Sequence, residues 1–295
     1  MDIKKVGVIG AGKMGSEIAL WIAYHGFSVV LKDVYKENLE KGLGNIANFV
    51  MDRKTKGRMA EDEARAILSG IKTTLDYKDV KDCDLIIESV MEDLDIKREV
   101  FYVLDNICRE NVIFASNTSA IPISKIGAAI KRKDKILGSH FFNPVFLSRL
   151  IEVVPISETS GETIKTVTDF FAKGLKKKII TSKDGAGFIV NRLLVPFLNE
   201  AIILLDEGVA TKEEIDRAAR LGMGIPMGPL ALMDNLGLDL CLKVADIVYG
   251  EYKNERYNAV ETIRKLVKEN KLGVKTGEGF FKYKIPLNPP FPKGE

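Results

Sequence analysis

The chain runs Lys5-Val-Gly-Val-Ile-Gly10-Ala-Gly-Lys-Met-Gly15 almost from its start. The run Lys5–Ile9 has no polar alternation, so it reads as a strand covered on both faces. An apolar helical period follows from Met14. Between strand and helix, Gly10, Ala11, Gly12, Lys13, Met14 and Gly15 form a GxGxxG turn. Glycines mark any tight turn; their place between a strand and a helix is what gives these meaning. Gly10 permits the turn, Gly12 lets the backbone approach a pyrophosphate, and Gly15 lets helix and strand pack closely. The helix N-terminus offers unpaired N–H groups and positive dipole to the phosphates. A second strand ends just before Asp33, whose carboxylate would accept from both ribose hydroxyls and repel a 2′-phosphate. NAD is therefore favoured over NADP, although Lys32 beside it tempers the preference.

Outward from this turn, short apolar runs alternate with longer amphipathic ones. Strands are expected at Val6–Ile9, Ser28–Leu31, Asp84–Glu88, Val112–Ala115 and Lys135–Gly138, with helices near 14–25, 36–56, 95–109 and 122–130. That alternation predicts a parallel sheet with helices on both faces. From Phe188 onward the period is helical throughout. The expected fold is α/β: a Rossmann-type, mostly parallel sheet domain over 1–184, then an all-α domain over 185–284, with the boundary within Lys183–Gly187. A tail over 285–295, rich in proline, is expected to be extended. Thr211-Lys-Glu-Glu214 is a capping box. Ile189, Leu193, Phe197 and Ala201 form one stripe of a helix, with Val190, Leu194, Leu198, Ile202 and Leu205 beside it. A helix so apolar must be buried, and a homodimer through the helical domain follows. Pro196 removes the hydrogen bond to the Arg192 carbonyl, so a kink is expected.

Composition excludes several classes. The 295 residues are 46% hydrophobic and 29% charged, the profile of a folded protein. Forty-four basic against 41 acidic side chains leave only +3, so no field argues for nucleic acid. Cys83, Cys108 and Cys241 are widely spaced with no CxxC pair, which fits reduced thiols in a cytoplasmic protein and no metal site. No apolar run reaches the ~18–20 residues that a membrane span needs.

Only two histidines occur. His25 ends the first helix. His140 stands in Gly138-Ser-His-Phe-Phe-Asn-Pro144, at the end of an apolar strand where α/β sites are built. A dehydrogenase needs a group that takes a hydroxyl proton near neutral pH, and His is the usual choice. If 137–142 and 150–154 form a hairpin turning at Phe146, His140 faces Glu152, the one acid in Leu150-Ile-Glu-Val-Val154. A lone carboxylate there needs a partner, and a Glu–His dyad would fix the imidazole tautomer; a solvated edge-strand acid is the competing reading. Ser116-Asn-Thr-Ser119 and Asn191 also lie where the chain changes direction, as caps or as site residues.

Together, Ala115-Ser-Asn-Thr-Ser119, His140-Phe-Phe-Asn-Pro144, Gly187-Phe-Ile-Val-Asn191, Gly228-Pro-Leu230 and Lys275-Thr-Gly-Glu-Gly-Phe280 resemble the 3-hydroxyacyl-CoA dehydrogenase family over nearly the whole chain. The resemblance implies an NAD-dependent oxidation of 3-hydroxyacyl-CoA to 3-oxoacyl-CoA, and the reverse. It makes His140 the catalytic base and Glu152 its partner. Ser119 becomes a contact of both substrate hydroxyl and nicotinamide, and Asn191 a contact of the reacting oxygen. Asn143, Glu92, Lys97 and Lys275 fall on NAD-contacting positions, and the CoA handle would meet Arg53-Lys-Thr-Lys-Gly-Arg58, Lys56 above all. Three departures stand out: Ala120 replaces a serine, Ala186 a proline, and Phe146-Leu-Ser-Arg149 alters a loop expected near the acyl group. Competing readings are the same chemistry on a free hydroxy or sugar acid, and a non-catalytic NAD-binding protein.

Overall fold

The computed structural model describes residues 2–284, so the expected tail from Ile285 lies outside the described residues. The chain falls into two compact units, divided between Gly185 and Ala186. In order, the first unit carries β1 (Lys5–Ile9), α1 (Lys13–Tyr24), β2 (Ser28–Lys32), α2 (Lys36–Thr55), α3 (Glu61–Ser69) and β3 (Ile71–Thr74). It continues with β4 (Leu85–Glu88), α4 (Leu94–Ile107), β5 (Ile113–Ser116), α5 (Ile123–Gly127), β6 (Ile136–Phe141), β7 (Leu150–Pro155), α6 (Gly161–Asp169) and β8 (Lys178–Thr181).

The eight strands form one sheet in the order β3-β2-β1-β4-β5-β6-β7-β8. The strands from β3 to β6 run parallel, β7 turns back antiparallel to β6, and β8 runs parallel to β7. The middle strands β4, β5 and β6 are buried along their whole length, which is why they appear as unbroken apolar runs. Strand order reverses between β1 and β4, and in such sheets ligands bind beyond the carboxyl ends of the strands at that point. The edge strands β3 and β8 and the polar helix α3 were not expected, since β8 buries no residue and β3 only Ile71.

The second unit is helical: α7 (Val190–Asp206), α8 (Lys212–Met223), α9 (Pro229–Leu236), α10 (Leu238–Tyr252) and α11 (Glu261–Lys268). The capping box at α8 is formed, with Thr211 Oγ1 accepting from Glu214 N at 3.3 Å and Glu214 Oε2 accepting from Thr211 N at 3.1 Å. Pro196 lies inside α7, which runs through it. Within one chain that helix is covered on one side only. Val195, Leu198, Ala201 and Ile202 are buried, but Leu193 is 71% exposed, because α8, α9 and α10 cover only one of its faces. Asp234, fully buried in α9, anchors the far end of the unit by accepting from Phe280 N, Phe281 N and Tyr283 Oη at 2.8–2.9 Å. Among the described residues no helix is long and apolar enough to cross a membrane.

Candidate active site

The glycine turn sits at the carboxyl end of β1. Gly10 adopts φ +101°, and a Cβ there would stand 2.5 Å from the Ser89 carbonyl oxygen. A Cβ on Gly15 would strike the Gly10 carbonyl, whereas one on Gly12 would meet nothing within 4 Å. Two glycines are thus fixed by close packing, and the middle one leaves its backbone open to a ligand, which helix α1 addresses with its N-terminal N–H groups. Asp33 closes the far side: its Oδ2 accepts from Ala11 N at 2.7 Å, and its Oδ1 from Tyr35 N and Asn38 Nδ2 at 3.0 Å. The expected brake on NAD preference is not placed to act. Lys32 is buried, and its ammonium rests 3.4 Å from the Tyr77 ring centre, where burial lowers its pKa.

Beside the turn, the ends of β4 and β5 are wired by buried charge. The Lys97 ammonium lies 2.8 Å from Glu88 and 3.3 Å from Glu92. Burial alone would lower its pKa, but the two carboxylates outweigh that and raise it. Glu88 also accepts from Ser116 Oγ at 2.6 Å and from Val90 N at 2.7 Å. Glu92 accepts from Thr118 Oγ1, Ser119 N and Ala120 N at 2.6–3.0 Å, which sets the backbone of the Ser119 loop. Asn117 then ties three strand ends together, donating to Ser89 Oγ at 3.1 Å and accepting from Phe141 N at 2.9 Å.

That last bond leads to His140. The β6–β7 register pairs His140 with Glu152, and Nδ1 donates to Glu152 Oε2 at 2.7 Å. Both side chains are buried, and the Phe142 ring lies 4.3 Å from the imidazole, centre to centre. With Nδ1 committed to the carboxylate, the neutral imidazole presents Nε2 as its basic nitrogen. Just beyond, the Asn143–Pro144 peptide is cis, and Asn143 Oδ1 is buried without a hydrogen-bond partner. Because β1, β4, β5 and β6 are parallel, the glycine turn, Glu92, Ser119, His140 and Asn143 share one edge of the sheet.

Other expected residues stand apart. Lys56 ends α2 on the surface and pairs with Asp52 at 2.6 Å, while Arg53 stacks 5.2 Å over Phe49. In the second unit, Asn191 lies in the first turn of α7, and Lys275 pairs with Asp239 at 2.5 Å. His25 caps α1, its Nδ1 2.9 Å from the Trp21 carbonyl. Sequence reasoning missed Glu88, though it is the one acid of Leu85-Ile-Ile-Glu88, the same signal that marks Glu152. Among the described residues no cluster of His, Cys, Asp and Glu could hold a metal.

A glycine turn at the sheet's switch point, an acid closing it and a buried His–Glu pair on the same edge are the parts of a Rossmann-type oxidoreductase. Comparison with known proteins narrows the class. Residues 5–185 match the family model of the 3-hydroxyacyl-CoA dehydrogenase NAD binding domain, and residues 187–283 that of its C-terminal domain. The chain belongs to the 3-hydroxyacyl-CoA dehydrogenase family. A 3-hydroxybutyryl-CoA dehydrogenase of Clostridioides difficile is 42% identical over 279 residues, 95% of this chain and 99% of that protein. Human mitochondrial hydroxyacyl-coenzyme A dehydrogenase is 43% identical over 289 residues, 96% of this chain and 92% of that protein. The crystal structure of (S)-3-hydroxybutyryl-CoA dehydrogenase PaaH1 from Ralstonia eutropha aligns with a TM-score of 0.90 at 39% identity, over 96% of this chain and 100% of that one.

Proposed function

We propose that this chain interconverts (S)-3-hydroxyacyl-CoA and 3-oxoacyl-CoA with NAD, a short acyl chain such as 3-hydroxybutyryl being the preferred substrate. The observation that carries the reading is the buried pair of His140 Nδ1 and Glu152 Oε2 at 2.7 Å, on the sheet edge that holds the glycine turn.

The residues present fit the cofactor. Gly12 leaves open backbone for the pyrophosphate, and the unpartnered Asn143 Oδ1 is an acceptor suited to a carboxamide N–H. Asp33, although it takes three donors from its own chain, has carboxylate lone pairs left for a ribose hydroxyl. Glu92 and Lys97 order the loop that carries Ser119. NAD, when bound, supplies the acceptor for the hydride that leaves C3. His140 Nε2 takes the 3-hydroxyl proton, and Glu152 stabilises the imidazolium so formed. In reverse the imidazolium returns that proton. Ser119 donates to the oxygen whose charge changes, and Asn191 keeps the substrate contact its motif implies. Lys56 and Lys275 keep the CoA and NAD contacts their positions imply, and through Asn191 the helical domain over 185–284 serves substrate binding.

The same domain forms a homodimer in our reading, which runs in the cytoplasm. Leu193, Leu221 and Met223, exposed by 71, 74 and 62%, supply the apolar surface for it.

The test is loss of NADH absorbance with acetoacetyl-CoA, run beside free acetoacetate and beside NADPH. Turnover with the CoA ester and NADH alone is expected. Equal rates with free acetoacetate would move the reading to a free hydroxy acid, and NADH binding without turnover would move it to a non-catalytic protein.

A further inference from the structure

The segment Phe142–Arg149 joins the strand of His140 to the strand of Glu152 and carries Asn143. Its middle residue, Val145, is buried, and both of its backbone polar groups are held by charged side chains from elsewhere in the fold. On one side Val145 N donates to Glu17 Oε2 of α1 at 2.7 Å. On the other, Lys177 Nζ, just before β8, donates to the Val145 carbonyl, and to the Ser148 carbonyl at 2.6 Å. Glu17 and Lys177 are themselves only 4% and 5% exposed. Burying two ionisable groups in order to hold one loop residue is costly, since ordinary loop positions are satisfied by water or by their own turns.

Further contacts hold the clamp together. The Lys177 ammonium lies 4.2 Å from the Trp21 ring centre, a face that attracts a cation. Trp21 Nε1 donates to the Leu175 carbonyl at 3.0 Å, so α1 also holds the stretch of chain from which Lys177 projects. Helix α1 therefore grips the loop twice, directly through Glu17 and indirectly through Trp21 and Lys177. The same helix begins at the glycine turn. A rigid connection thus runs from the pyrophosphate end of the cofactor site to the loop bearing Asn143.

We propose that Glu17 and Lys177 are positioning residues, which set the Val145 backbone and so the distance between the glycine turn and Asn143. This rests on the reading of Asn143 as a cofactor contact. Neither side chain touches cofactor or substrate; both act through the loop. Loosening the clamp weakens NADH binding. Glu17→Ala removes one charge-assisted hydrogen bond to the loop and Lys177→Met two, and each is expected to raise the NADH dissociation constant roughly tenfold. Glu17→Gln, whose amide oxygen still accepts from Val145 N, should restore NADH affinity.

NADH affinity is read by fluorescence, which needs no turnover, and the urea midpoint of each variant is measured alongside. Unchanged NADH affinity in both variants would overturn the proposal. So would a loss that simply follows the fall in the urea midpoint, with Glu17→Gln no better than Glu17→Ala. If Lys177→Met does not fold, the Glu17 pair decides alone. A wild type that binds NADH but ignores acetoacetyl-CoA would remove the proposed reaction, and the clamp would still be judged by NADH affinity.

Discussion

His140 and Lys97 are both buried and both bonded to a carboxylate, yet substitution should affect them in opposite ways. His140→Gln keeps a polar side chain beside Glu152 and removes the proton acceptor. Turnover should fall by roughly 10²–10⁴-fold, while the NADH dissociation constant and the urea midpoint hardly move. Near-normal turnover would exclude His140 as the base. Lys97→Met leaves the fully buried Glu88 and the half-buried Glu92 without their counter-charge, so the urea unfolding free energy should fall by about 3–5 kcal/mol at neutral pH. A loss below about 1 kcal/mol would mean the network is dispensable. The two acids differ in how plainly the sequence marks them. Glu152 stands out because it is the one acid in an unbroken apolar run, and the spacing to His140 supplies its partner. Glu17 lies on a helix whose burial depends on which sheet face it covers, and nothing local in Ser16-Glu-Ile18 reveals a loop residue 128 positions away.

At the level of elements, Gly228-Pro-Leu230 shows how a motif can be a packing device. Asp216 of α8 accepts from Leu230 N at 2.8 Å and Ala231 N at 2.9 Å, capping α9 from a neighbouring helix. A Cβ on Gly228 would overlap the Asp216 side chain, so the glycine admits the cap and Pro229 starts the helix where no N–H is needed. Asp216→Ala should lower stability by about 1–3 kcal/mol, against about 1 for Thr211→Ala at the exposed capping box. Equal losses in urea titrations would refute the importance of the buried cap. Elements also divide by legibility. The buried strands β1, β4, β5 and β6 announce themselves because water is excluded from both faces. At the sheet's edges that constraint lapses: Lys178–Thr181 pairs through its backbone and needs no apolar pattern, and α3 buries only Ala64 and Ile67.

Across the whole molecule, alkali should be a weakness. Burial pushes the Cys83 thiol up to about 12 and Cys108 to about 11, from an ordinary value of 9.0. Both thiols stay protonated in the fold, whereas the unfolded chain ionises them from pH 9.0 upward. Their contribution is therefore fully present below that pH and lost above it, at up to ~1.4 kcal/mol per pH unit per thiol. The urea midpoint should decline above pH 9.0, and Cys108→Ala should blunt the decline. A flat profile would show that the native thiols ionise as freely as the unfolded ones. At lower pH the same burial should leave them inert to a thiol reagent until the chain unfolds. The alternation of strands and helices made the two-part architecture readable because the periods differ. What covers Leu193 is not legible, because periodicity reports that a face is apolar and not what packs on it.

The clamp on Val145 seizes only main-chain atoms, and the His140–Glu152 pair is made by strand register and not by the loop between them. No side chain from Phe146 to Arg149 is therefore pledged to the proton chemistry. Those positions, Phe146-Leu-Ser-Arg149 in this chain, can change without disturbing base or acid. A protein built this way can vary that loop by mutation while its reaction is inherited intact.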